Sequence, residues 1–185
     1  MTTSINLEQQ LALRLDREAK KYWDEIITDM QDMAKEFNLE KVDEKSPFRN
    51  VLNVAIEPNT SFEVLKNFIR YQVGRQGSNK IWKEKKNDQL FADAVVGKID
   101  GLKKFTEEIL GAIAQKINER LEELEDDSRE KESLLDLKAY LDKNRQTLIQ
   151  SQHLKLTQLY LGYLSREHTA MSAEAKAKSE NKNKQ

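Results

Sequence analysis

The chain has 185 residues, of which 38% are hydrophobic, 34% charged and 7% aromatic, with two prolines, no cysteine and a net charge of −1. That length suffices for one buried core. The missing thiols exclude disulfides, thiolate metal sites and a cysteine nucleophile, and two histidines, His153 and His168, leave little material for a histidine-based metal centre.

Leu15, Ala19, Tyr22, Ile26, Met30, Met33 and Phe37 recur every three or four residues, a helical stripe that Trp23, Ile27 and Ala34 broaden. It predicts a helix over about 7–38. Ser46-Pro47 reads as an N-cap followed by proline at the first helical position. The short helix it opens, Phe48 to Ile56, is stopped by Pro58. Thr60-Ser61-Phe62-Glu63 fits a capping box in which Glu63 reaches back to the Thr60 amide. It opens a helix over about 61–73 that buries Phe62, Leu65, Phe68 and Ile69, with Gly74 and Gly77 bracketing its end. Residues 78–88 read as a polar, basic loop or frayed turn.

A second long stripe, Leu102, Phe105, Ile109, Ile113, Ile117, Leu121 and Leu124, follows Gln89. Gly97, Gly101 and Gly111 lie in or near it, and each costs a helix about 1 kcal/mol relative to alanine. They predict either a break near 97–101 or a close helix contact. The charged stretch Glu122 to Glu132 marks a turn or a solvated extension. Beyond it Leu134, Leu137, Leu141, Leu148, Leu156, Leu159 and Tyr163 suit one helix, or two meeting near Gln150. Residues 172–185 contain only Ala, Ser, Lys, Glu, Asn and Gln, a composition expected to give a disordered, lysine-bearing tail. With no apolar alternation and no Asn-Gly or Asp-Gly hairpin signal, the fold class expected is all-α: a bundle of five to six helices, two of them long, forming one domain over 1–171. The stripes at 15–37 and 102–124 are expected to pack on each other, with part of the first available to a protein partner.

No apolar run approaches the roughly 18 residues of a membrane span. The start MTTSINLEQQ lacks the basic and apolar stretches of a signal peptide. The expectation is a cytoplasmic protein without membrane contact.

Little in the chain suggests catalysis. Neither histidine lies near a glycine-rich elbow, no phosphate loop is present, and both histidines are expected on the surface or at a rim. The paired acids Glu122-Glu123 and Asp126-Asp127 fall in solvated stretches. Glu107-Glu108 with Asp100 lack the Glu-x-x-His partner pattern of a dimetal site. The reading is a non-enzyme with no cofactor and no metal.

Charge placement is more informative. Residues 1–63 carry 13 acidic and 8 basic side chains, net −5, whereas residues 64–120 carry 7 and 12, net +5. The densest stretch holds Lys66, Arg70, Arg75, Lys80, Lys83, Lys85 and Lys86 against one acid, Glu84, with Phe68, Tyr71 and Trp82 interleaved. Cations on a helix end and its adjoining loop can meet successive phosphates, and a loop tryptophan among lysines can stack on an unpaired base. These residues, Trp82 included, are the candidate RNA-binding set. They are expected to converge on one positive surface.

Two stretches bear on family. Leu65 to Gln76, LKNFIRYQVGRQ, resembles the helix-and-turn of one branch of the small helical subunits of type III CRISPR effector complexes, in which a tyrosine, a glycine and an arginine close a helix. Leu154 to Ala170, LKLTQLYLGYLSREHTA, is similar to the last helix of the sister branch. The resemblance implies a non-catalytic bundle in an antiviral ribonucleoprotein. It would contact the guide–target RNA duplex through Arg70 and Arg75, and would touch other effector subunits and copies of itself. The long first helix, the charged stretch 121–133 and the lysine-bearing tail depart from that pattern. The alternative is a helical adaptor or antitoxin-like module whose basic patch meets an acidic protein.

Overall fold

The apolar stripe of the N-terminal third runs on through a change of helical pitch. In the computed structural model, which describes residues 2–42, 46–126 and 128–182, helix α1 spans Thr2–Ala19 and α2 spans Trp23–Glu36. A single 3-10 turn, Lys20–Tyr22, lies between them. Ala19 and Trp23 keep right-handed helical dihedrals, so the turn tightens the helix without ending it. Asn38, in the left-handed region at φ 51°, closes α2 as a short polar residue can.

Helix α3 is Arg49–Ile56 and α4 is Phe62–Gly74. Glu57, extended as a residue before proline must be, separates them. Neither cap follows the sequence reading. Ser46 does not cap α3, whose N-cap Phe48 offers no side-chain bond; the Ser46 hydroxyl pairs with that of Ser165 at 2.9 Å. Ser61, not Thr60, caps α4, accepting from the Val64 amide at 3.3 Å. Thr60 donates its amide to the Glu57 carbonyl, and Glu63 turns to Lys66 at 2.8 Å. Within α4, Leu65 and Ile69 are buried while Phe62 and Phe68 are half-buried.

Residues 78–88 are more ordered than a loop. A 3-10 turn at Lys80–Lys83 leads into a small antiparallel hairpin, β1 (Lys85–Lys86) with β2 (Gln89–Leu90). Asn87 and Asp88 both take positive φ, 49° and 63°, the two-residue turn that suits strand twist. Asn and Asp tolerate this conformation nearly as glycine does, which is why no glycine marks the hairpin.

Helix α5 then runs unbroken from Phe91 to Glu123, and α6 from Arg129 to Lys182. Residues 131–170 are therefore one helix. The helix also includes 172–182, expected to be disordered; residues 183–185 lie outside the described residues. Alanine, lysine and glutamate are strong helix formers, and Met171, Glu174, Ala175 and Lys178 line a hollow with Lys35 and Glu40. Gly97, Gly101 and Gly111 neither break α5 nor admit a neighbour. All three are exposed, and an added Cβ would meet nothing within 4 Å. With most of the described residues helical and two helices long, the fold class is an all-α bundle.

The chain divides into two compact units, residues 1–23 with 102–153 and residues 24–101 with 154–185. The expectation of one bundle over 1–171 draws no such division, since α5 and α6 each continue unbroken across a dividing point. In the first unit Leu11 and Leu15 are buried along with Ile109, Ile113 and Ile117 of α5 and Leu137 and Leu141 of α6. Tyr22 meets Phe105 with ring centroids 5.4 Å apart. Burial pushes the Glu18 carboxyl up, but hydrogen bonds from Lys116 and Lys21 outweigh it and hold the group below the usual carboxylate range. In the second unit Asp29 pairs with Lys98, the Gln158 amide donates to the Ala55 carbonyl at 2.8 Å, and the Tyr160 hydroxyl reaches Met33 Sδ at 3.4 Å.

Ile26 and Ile109 are 1% and 0% exposed. Ile26→Ala and Ile109→Ala should therefore each cost about 2–4 kcal/mol in denaturant unfolding, as deletion of buried methyl groups does. The opposite sign is expected at Gly97→Ala and Gly101→Ala. Each should stabilise by about 0.5–1 kcal/mol, because the substitution restricts the unfolded chain and fits the helix without a clash.

Candidate nucleic-acid interface

All eight candidate residues belong to the second unit, but the structure sorts them into different settings. Lys66 on α4 is half-buried and lies 2.8 Å from Glu63 and 3.6 Å from Asp100. The hydrogen bond to Glu63 is the largest influence raising its pKa. Its charge is thus firmly held and locally compensated.

Arg70 is exposed on α4, on the side away from Leu65 and Ile69. It shares a hollow with Val54, Val64, Phe68 and Tyr71. Tyr71 is 55% exposed, and its ring centroid is 6.2 Å from that of Phe68.

Arg75, also exposed, is the C-cap of α4. The chain turns sharply there: Ser78 donates to the Gln72 carbonyl at 2.5 Å and to the Arg75 carbonyl at 3.1 Å, and Gly77 supplies the left-handed step at φ 75°. Arg75 lines a second hollow together with Arg49, a residue the sequence reading did not single out. No charge run flags Arg49; only the packing of α3 against α4 brings the two arginines to one hollow.

Lys80 opens the 3-10 turn, whose N-cap Asn79 accepts from the Ile81 amide at 3.0 Å. It lines a third hollow with Lys41 and Glu84. Lys83 ends that turn, and Lys85 and Lys86 form β1, all three exposed. The Phe91 amide closes the hairpin onto the Glu84 carbonyl at 2.9 Å, and Asn87 donates to Glu36 at 3.4 Å. The hairpin presents the two lysines from a fixed base.

Trp82 requires correction. It is 1% exposed, its ring edge-on to Phe48 at 5.8 Å and tilted on Phe91 at 5.6 Å. A 3-10 turn puts successive side chains about 120° apart, so Ile81 and Trp82 face inward while Lys80 and Lys83 face out. The indole cannot stack on a base without leaving the core. The exposed aromatic beside the arginines is Tyr71.

Both histidines are buried, at 7% for His153 and 2% for His168, and neither is at a rim. Among the described residues no group of three or more His, Asp or Glu is placed to hold a metal ion. Among those residues, too, no helix is long and apolar enough to cross a membrane. No protein-family model, curated protein or solved structure matches this chain.

His168 anchors the core beneath this surface. Its ring is edge-on to Phe48 at 5.8 Å, Nε2 donates to the Val42 carbonyl at 3.3 Å, and buried Nδ1 has no partner among the described residues. Burial lowers its pKa from 6.5, and the bond to Val42 only partly offsets this. The unfolded chain therefore takes up a proton before the folded one does, and stability falls as pH drops below about 6.5, levelling off below the folded pKa. Urea unfolding between pH 8 and 5 should show this loss, and His168→Gln should remove that part of the pH dependence.

Proposed function

We propose that this chain is a non-catalytic helical subunit of a ribonucleoprotein that contacts RNA through the exposed cations of its second unit. One observation carries the reading: Arg70, Arg75, Lys80, Lys83, Lys85 and Lys86 are all exposed, and none forms an ion pair among the described residues. Elsewhere Lys21, Lys98, Lys103, Lys104, Lys116, Arg120 and Lys131 are each matched by an acid, while the other exposed cations without an ion pair, such as Arg14, Arg17, Lys143 and Arg145, are not gathered in so short a stretch of chain. Positive charge left unmatched on a helix face, a turn and a hairpin draws a polyanion by releasing its counterions. Tyr71 beside Arg70 adds an aromatic face for an unpaired base. The resemblance of residues 65–76 and 154–170 points to CRISPR-type effector complexes as the class, with a guide–target duplex as ligand and neighbouring subunits or further copies as protein partners.

A second reading has its own support. Ile56, Val64 and Tyr71 are exposed by 57%, 50% and 55%, and the hollow holding Arg70 is lined by Val54, Val64, Phe68 and Tyr71 together with Glu57 and Asn67. That combination also suits an acidic protein carrying apolar anchors.

Salt-dependent RNA binding separates the two. Arg70→Glu with Lys85→Glu should lower affinity by about 1 kcal/mol or more per lost charge-assisted contact. It should also reduce the slope of log K against log salt by about 2, one for each phosphate contact. Tyr71→Ala should cost about 1–3 kcal/mol on single-stranded RNA. Equal affinity in wild type and the double reversal, or negligible RNA affinity at every salt concentration, would sink the RNA reading and leave the protein-interaction module.

A further inference from the structure

The hollow shared by Arg49 and Arg75 differs from the other two. Its volume is about 520 Å³, in the range of small-ligand sites. Among its described lining residues there is no carboxylate, although Arg49 and Arg75 both belong to the lining. The two guanidinium groups come from different elements, the start of α3 and the turn after α4. They are brought to one place with nothing of opposite charge between them among the described residues.

Gln72 adds an independent observation. It also lines the hollow and is 4% exposed, yet its buried amide nitrogen Nε2 has no hydrogen-bond partner among the described residues. A buried donor left unpaired is costly, and an acceptor entering the hollow would relieve it. The N-terminus of α3 opens here as well, with Asn50 in the lining and no side chain capping its first amides. The Arg49 amide already donates to the Ser46 carbonyl at 3.5 Å, and the positive end of the helix favours an anion. The neighbouring hydroxyls are already engaged: Ser46 with Ser165, and Ser78 with the Gln72 and Arg75 carbonyls. Thr169 likewise donates to the Ser165 carbonyl at 3.0 Å, which leaves two planar cationic forks and the neutral amides of Gln72 and Asn50. A tetrahedral dianion, with oxygens facing several directions, matches that set better than a planar carboxylate with two.

We propose that this hollow binds a phosphate group, held by Arg49, Arg75 and the Gln72 amide. The group belongs either to an RNA strand lying on the surface described above or to a free nucleotide; only the first source rests on the RNA reading.

The test uses the full chain with inorganic phosphate, AMP, and a 12-nucleotide RNA with and without a 5′-phosphate. Binding is followed by calorimetric titration, and by melting temperature against chloride at matched ionic strength. Phosphate and AMP should bind and raise the melting temperature. Arg49→Gln and Gln72→Leu should each weaken AMP binding about tenfold or more. Both variants should melt at or above the wild-type temperature without ligand, since Arg49 is exposed and leucine removes an unpaired donor. If Arg49→Gln also weakens RNA about fivefold, the strand supplies the phosphate. If it weakens AMP alone, or if AMP binds while RNA does not, the free nucleotide does, and the phosphate site stands even where the RNA reading falls. Phosphate acting no differently from chloride, or AMP binding equally to wild type and both variants, would overturn the proposal.

Discussion

Phe48 meets three rings at once: Trp82 at 5.8 Å, Phe91 at 5.7 Å and His168 at 5.8 Å. Phe91 in turn meets Phe37 edge-on at 5.1 Å. One aromatic cluster thus joins α2, the entry to α3, the 3-10 turn, α5 and α6. Aromatic pairs in these tilted and edge-on arrangements contribute beyond their buried area. Arg49, Lys80, Lys83, Lys85 and Lys86 are each attached within a few residues of this cluster, and Arg70 and Arg75 belong to α4 and its C-cap. Lys80 and Lys83 point outward because Ile81 and Trp82 point inward. Lys85 and Lys86 sit where they do because the hairpin returns the chain to Phe91.

The surface consequently divides by how each charge is supported. Arg70 and Tyr71 project from α4 beside apolar neighbours. Arg75 and Arg49 flank a polar hollow with an unpaired buried donor. Lys80 shares its hollow with Glu84 and Lys41, and Lys85 and Lys86 are exposed on the hairpin. The seven cations counted along 66–86 are therefore several local settings, and Lys66 is absorbed by Glu63 and Asp100.

Helical periodicity carried the fold into view, because a stripe such as Leu15 to Phe37 needs only the chain's own repeat to be read. Features decided by partners distant in sequence were not legible. Ser46 looked like a cap until Ser165, 119 residues away, took its hydroxyl. Trp82 looked exposed because its neighbours are lysines, whereas Phe48 and Phe91 decide its burial. Asn87-Asp88 was passed over as a hairpin for want of glycine, although both residues tolerate the left-handed region. Arg49 stood alone in the sequence, and only α3 packing beside α4 placed it with Arg75.

The exposed glycines of α5 have a further consequence. Gly97 and Gly101 lie within a helix whose neighbouring turns hold Val95, Ile99 and Leu102 in the core, yet they contribute no side chain to restrain the backbone. Opening of the helical hydrogen bonds is easiest where local contacts are fewest. Amide protons near Gly97–Gly101 should exchange with solvent deuterium sooner than those of Ile109–Ile117, so one continuous helix would show graded protection along its length.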